Sequence, residues 1–241
     1  MGNKKINWFV VLLLTVFFVP QSFSQEKSSE VLYLDGAFMK PELILPPPPQ
    51  KDSEQFKFEI ETIKKSVAKL NEAQRELATK DALNQTVSFF ADVLPGFDLN
   101  KLPQTASLFN SVKYNAGYES KIFKDYFATK RPYQEDSDIL ACVPPTNKDL
   151  NRSYPSGHTT MGYAMGIVLA NLIPEKSKEI MLRAHLYGEN RVNCGAHFPS
   201  DVGGGQVLGS LVAMELLKNN DFKELMRASK DELAQAGLTK P

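Results

Sequence analysis

The chain has 241 residues, 28 Lys+Arg against 28 Asp+Glu, 42% hydrophobic residues, 3 His and 2 Cys. That length suits one domain with an arm and allows a sizeable core. The composition excludes a collagen-like or wholly disordered chain, and the charge balance argues against a protein that grips nucleic acid through a broad basic face.

Residues 1–24 read as a secretory signal. Lys4 and Lys5 form a basic start, the run from Trp8 to Val19 is apolar, and Pro20 precedes Ser22-Phe23-Ser24, whose small residues suit cleavage after Ser24. The apolar run is short for a membrane span; an uncleaved anchor is the alternative. Such a leader places the protein in the periplasm or outside the cell, leaving a slightly acidic mature chain. In that oxidising setting Cys142 and Cys194 can pair, two buried free thiols being the other reading.

Residues 25–51 contain Pro41 and the run Pro46-Pro47-Pro48-Pro49. Proline cannot continue a helix and favours polyproline II, so this segment is a Pro-rich arm, either packed on the surface or a disordered linker. From Asp52, residues Phe56, Ile60, Ile63, Val67, Leu70 and Leu77 recur at three- and four-residue steps and predict one amphipathic stripe. A second short helix is predicted over 81–94, stopped by Pro95-Gly96. A third runs from Gln104 to Thr129, ended by Arg131-Pro132. A polar loop follows to residue 156.

Thr159–Ile173 is apolar on nearly every side, which predicts a buried central helix, and Pro174 starts the next helix at its favoured first position. Residues 202–217 predict a second apolar helix in which Gly203-Gly204-Gly205 and Gly209 allow close backbone approach. Asp221 begins a last amphipathic helix that stops before Gly237. Charged or polar residues interrupt both apolar stretches, so neither spans a bilayer. The expected architecture over residues 52–241 is all-α, a compact helical bundle with two buried central helices.

Three clusters carry chemistry. In the first, Lys124 and Arg131 lie seven apart, two helical turns, so both cations can share a face and grip an oxyanion; taken alone, the pair reads first as a solvated basic face. In the second, Pro155-Ser156-Gly157-His158 precedes the buried helix. A helix start offers free N–H groups to phosphate, Ser156 can cap, Gly157 permits close approach, and His158 stands at the mouth. In the third, His197 and Asp201 are four apart, so the carboxylate can hold one imidazole nitrogen and free the other as a nucleophile, with Arg191 adding a cation. Two of three histidines thus fall among three cations and an orienting carboxylate, the inventory phosphoryl transfer requires. His185 has no partners at useful spacing and reads as a bystander. No carboxylate or histidine cluster has metal-ligand spacing.

In this order and at these spacings the clusters resemble the signature of the type 2 phosphatidic acid phosphatase (PAP2) superfamily: K-x6-R-P, P-S-G-H and S-R-x5-H-x3-D. One position departs, since Asn190 stands where the family usually has Ser; Asn can also donate, so it reads as possible pocket support. Within the superfamily the chain most resembles the secreted bacterial class A non-specific acid phosphatases. Val31-Leu32-Tyr33-Leu34 and Leu43-Ile44-Leu45 before the prolines resemble their arm, Asn115-Ala116-Gly117-Tyr118 their first motif region, and Cys142 and Cys194 fall where that class carries a cysteine pair.

The resemblance implies that His197 attacks phosphorus to form a phosphohistidine, Asp201 orients it, and His158 serves as acid and then base. It implies that Lys124, Arg131, Ser156, Gly157 and Arg191 bind phosphate oxygens, and that no metal or cofactor takes part. The expected substrates are small phosphomonoesters of broad type, with a homo-oligomer left open. Two histidines near their reference pKa of about 6.5 predict a bell-shaped profile at acidic to neutral pH. Three rivals remain. A vanadium-dependent haloperoxidase uses a similar motif set, but such enzymes are generally longer. A membrane-lipid phosphatase needs several spanning helices. An inactive phosphate-binding module is opposed by the presence of every catalytic residue type.

Overall fold

The computed structural model of the protein describes residue 2 and residues 31–34, 39–147 and 150–240. The leader, its cleavage point after Ser24 and part of the arm lie outside the described residues. Nine α-helices are described, and no strand occurs among the described residues. They are α1 Pro41–Ile44, α2 Glu54–Lys69, α3 Glu72–Leu83, α4 Pro103–Phe127, α5 Pro132–Glu135, α6 Gly157–Leu172, α7 Ser177–Asn193, α8 Pro199–Lys218 and α9 Asn220–Gln235.

Helix α6 is the centre of the bundle. Its Ala164, Val168 and Leu169 are completely buried, and α8, α7 and α4 pack around it. The second apolar helix, α8, crosses it closely at two glycines. A methyl group on Gly205 would come within 2.7 Å of the Ser156 carbonyl oxygen, and one on Gly209 would collide with the Thr160 carbonyl. The all-α bundle and its two buried helices are therefore as the sequence predicts.

Two boundaries differ from the sequence expectation. The stripe from Phe56 to Leu77 is two helices, not one. Leu70 is extended, and Asn71 opens α3 with a reciprocal cap in which its side chain accepts from the Gln74 N–H and the Gln74 side chain accepts from the Asn71 N–H. Apolar spacing continues across a break that only the cap marks. Residues 81–94 are likewise not one helix. α3 ends at Leu83, and Val87–Asp92 forms a 3-10 turn. Between them the Asn84 side chain accepts from the Thr86 N–H and the Thr86 side chain from the Ser88 N–H, local bonds that compete with a continuous helix. Pro174 opens a short 3-10 turn ahead of α7.

The described parts of the arm pack on the domain. Asn115 on α4 accepts from the Tyr33 N–H and donates to the Val31 carbonyl, Leu34, Met39 and Leu45 are buried, and the Tyr154 hydroxyl donates to the Pro46 carbonyl at 2.9 Å. A disulfide joins Cys142 to Cys194, with Cα atoms 4.9 Å apart, and the Cys142 N–H donates to the Cys194 carbonyl. It fastens the long loop before α6 to the end of α7.

One core residue is out of place by ordinary rules. Glu119 on α4 is completely buried, and neither carboxylate oxygen has a hydrogen-bond partner among the described residues. Burial alone pushes its carboxyl up to about 7. A raised folded pKa means the folded state holds this proton more tightly, so the penalty grows as pH rises from about 4.5 towards 7 and stays at its full value above. Glu119→Leu should therefore stabilise the protein by about 1–3 kcal/mol at pH 8 and by clearly less at pH 4.5. Urea midpoints at the two pH values measure this; an equal gain at both would show that packing, not charge, is responsible.

Candidate active site

Four chain segments converge on one cleft of about 260 Å³, lined by Lys124, Arg131, Gly157, His158 and His197 among others. α4 brings Lys124 to its last turn, then ends where Ala128 adopts a left-handed conformation with φ 49°. Arg131 consequently does not continue the helix face of Lys124, as the seven-residue spacing suggested. It caps the short helix α5, and the returning chain carries it back to the same cleft. There its Nη1 donates to the Ala196 carbonyl at 3.2 Å and lies 3.1 Å from His197 Nε2. Lys124 Nζ donates to the Arg152 and Ser153 carbonyls at 2.7 and 2.8 Å.

The start of α6 supplies the second cluster. Ser156 is the N-cap, its Oγ accepting from the Thr159 N–H. A methyl group on Gly157 would press against the Ser120 hydroxyl at 3.1 Å and the Lys124 side chain at 3.4 Å, so a side chain there would crowd the floor of the cleft. His158 is half-buried. Its Nε2 lies 3.1 Å from the Ala82 carbonyl, which can only accept; Nε2 therefore carries hydrogen and Nδ1 is the nitrogen that titrates.

The third cluster is built on the start of α8. His197 and Asp201 are both buried, with Nδ1 3.0 Å from Asp201 Oδ2. The same oxygen accepts from the Phe198 N–H and from the Ser153 hydroxyl. With Nδ1 donating to the carboxylate, the lone pair sits on Nε2, facing Arg131. The Ser156 N–H donates to the Asp201 carbonyl at 2.9 Å, tying the starts of α6 and α8 together. Arg191 is buried near the end of α7, and its carbonyl accepts from the Ala196 and His197 N–H groups.

The electrostatics differ from the sequence expectation. Both histidines lie well below the usual imidazole pKa, not near it. For His197 the cause is loss of hydration first, then the charges of Arg131, Lys124 and Arg191. For His158 it is again loss of hydration, although one edge opens on the cleft, followed by Arg191. Burial pushes Asp201 up to about 6, opposed by the Ser153 and Phe198 donors. Lys124 is driven well below its usual value by burial and by Arg131.

Five of the eight predicted catalytic and phosphate-site residues line this cleft; Asp201 is bonded behind His197, and Ser156 and Arg191 join the same cluster through backbone bonds to Asp201 and His197. Asn190 is placed elsewhere: its amide donates to Asp81 Oδ2 at 2.8 Å, linking α7 to α3. His185 lies away from the cleft, near the Tyr163 hydroxyl at 3.3 Å. Sequence reasoning missed Ser153, the Ala82 carbonyl, and the buried pair of Asp81 with Arg183. Ser153 lies three residues before Ser156 in a polar loop, and nothing in its type or spacing marks it.

Residues 106–223 match the PAP2 superfamily profile. The chain is similar to an acid phosphatase of Zymomonas mobilis, 31% identical over 202 residues that cover 81% of this chain and 76% of that protein. It is 29% identical to a non-specific acid phosphatase of Salmonella typhimurium, covering 90% of this chain and 91% of that one. In fold it is similar to a transmembrane PAP2 type phosphatidylglycerolphosphate phosphatase from Bacillus subtilis. That likeness has a TM-score of 0.52 at 23% identity and covers 71% of this chain and 89% of the other. No described helix here is long and apolar enough to cross a membrane.

Proposed function

The chain belongs to the PAP2 superfamily, and from that membership we propose that it is an exported acid phosphatase hydrolysing small phosphomonoesters of broad type through a phosphohistidine, without a metal. The observation that carries this reading is the buried pair of Asp201 with His197 Nδ1, which leaves Nε2 facing the cationic cleft. Lys124, Arg131 and Arg191, with the Ser156 hydroxyl and the Gly157 N–H, hold the phosphate oxygens and offset charge as it develops. His197 Nε2 forms the N–P bond while the ester P–O bond breaks, and protonated His158 gives its Nδ1 proton to the leaving alkoxide. Water then attacks phosphorus, the N–P bond breaks, and His158 takes the water proton. Inorganic phosphate leaves.

Arg131 has a particular part. Its Nη1 stands beside the Nε2 lone pair, so the incoming phosphate must draw that donor onto its own oxygen before attack. The nucleophile is thereby exposed as the electrophile is bound. Asn190 acts as support for the helix that carries Arg191, not as a phosphate ligand. The proposed organisation is a leader over 1–24, an arm over 25–51 and a catalytic domain over 52–241, acting in the periplasm or outside the cell.

The test is hydrolysis of a chromogenic phosphomonoester in excess chelator, across pH. His197 must be neutral and His158 protonated. With both pKa values depressed, His197 remains available in acid, while His158 in the free enzyme loses its proton as pH rises. The alkaline limb of kcat/KM should therefore lie below about pH 6.5. The bound phosphate anion favours the charged imidazole, so the alkaline limb of kcat should lie at higher pH. Loss of activity in chelator, or an alkaline limb of kcat/KM above about pH 8, would overturn these assignments.

A further inference from the structure

The cleft extends beyond the phosphate cradle along α4. Lys113, Gly117, Ser120 and Lys124 recur at four, three and four residues and form one stripe on that helix, with Met161 of α6 and Gln85 beside it. At 1.5 Å per residue, Lys113 lies about 16 Å along the axis from Lys124. The space between them is open, since a methyl group on Gly117 would meet no atom within 4 Å. Lys113 is half-buried in this outer end, and no carboxylate pairs with it among the described residues. Among the described residues, no Asp or Glu lines the cleft. A lysine on a solvated helix face usually has acidic neighbours to offset it; here the ammonium faces a slot whose other charged residues are the cations and histidines of the phosphate site.

We propose that Lys113 forms a second anion subsite, so that the favoured substrates are phosphomonoesters whose leaving group carries another anionic group roughly 10–16 Å from the reacting phosphorus. The range follows from the helical rise, shortened as the flexible lysine stem bends inwards. This inference rests on the phosphatase reading. In it, the phosphate is bound by the inner cations, the body of the leaving group lies over Gly117 and Met161, and the distal anion pairs with the Lys113 ammonium. The pair is open to solvent, so its effect is modest and sensitive to salt.

The experiment compares 8-phosphooxyoctanoate with octyl phosphate, which shares the reacting ester and lacks the distal carboxylate, and with 4-phosphooxybutanoate, whose tail is too short to reach. In the parent protein, kcat/KM for the long carboxylate should exceed that for octyl phosphate by about fivefold at low ionic strength and converge with it in 0.5 M salt, an estimate set by the strength of exposed ion pairs. The ratio should fall to about one in Lys113→Ala and below one in Lys113→Glu, while the short acid shows no dependence on residue 113. Hydrolysis of both long substrates with a ratio that is unaffected by either variant would overturn the proposal. No hydrolysis of octyl phosphate would overturn the phosphatase reading itself, and this inference with it.

Discussion

His197→Ala is expected to lower turnover of a chromogenic phosphomonoester by a factor on the order of 10⁴ or more. The variant removes the only imidazole that Asp201 holds, at 3.0 Å, and no other nucleophilic nitrogen occupies that place. It retains Lys124, Arg131 and the start of α6, so the product phosphate should still bind. Rapid acid-free quenching after mixing with labelled substrate should trap a phosphoprotein in the parent that is stable to base and labile to acid, the behaviour of a phosphoramidate. The alanine variant should trap none. Equal turnover in both proteins would refute the nucleophile assignment. His185→Ala is the matched control, because that imidazole is exposed and lies away from the cleft; its turnover should stay within about twofold of the parent.

The largest loss of stability is expected from Asp81→Ala. Asp81 is buried on α3 and accepts two bonds from Arg183, at 3.0 and 2.6 Å, and one from Asn190 at 2.8 Å. Removing it leaves a buried guanidinium whose remaining carboxylate, Asp92 at 3.2 Å, is partly exposed. Breaking such a pair from one side costs about 3–5 kcal/mol. Activity should also suffer, because the next residue is Ala82, whose carbonyl fixes the His158 ring. The double variant Asp81→Ala, Arg183→Met should recover most of the stability, since the uncompensated charge is then gone. Urea midpoints of the three proteins decide this. A loss below about 1 kcal/mol in Asp81→Ala would mean that the network contributes little to holding α3 against α7.

The site was legible where its chemistry is tied to short segments. Ser156-Gly157-His158 at the start of an apolar helix, and His197 four residues before Asp201, each place their groups by one turn of backbone, and the structure keeps those placements. Lys124 and Arg131 were legible as partners for a reason that proved wrong. They do not share a helix face; a left-handed residue at Ala128 turns the chain and brings Arg131 back from outside. Ser153 was illegible because its bond to Asp201 joins residues 48 apart in the chain, across two helices. Asn190 was read as pocket support from its place beside Arg191, whereas packing turns its amide towards α3.

What the sequence determined by itself was the all-α class, the two central helices, the cysteine pair as one of two readings, and the inventory of catalytic groups. Helical period, capping and motif spacing are properties of contiguous residues, and they survive whatever the rest of the chain does. The tertiary structure decided the oxidised state of Cys142 and Cys194, the open outer slot by Lys113, and the acid-shifted histidines. Those depend on hydration lost and charges gathered from distant segments, sums over space that no spacing along the chain records.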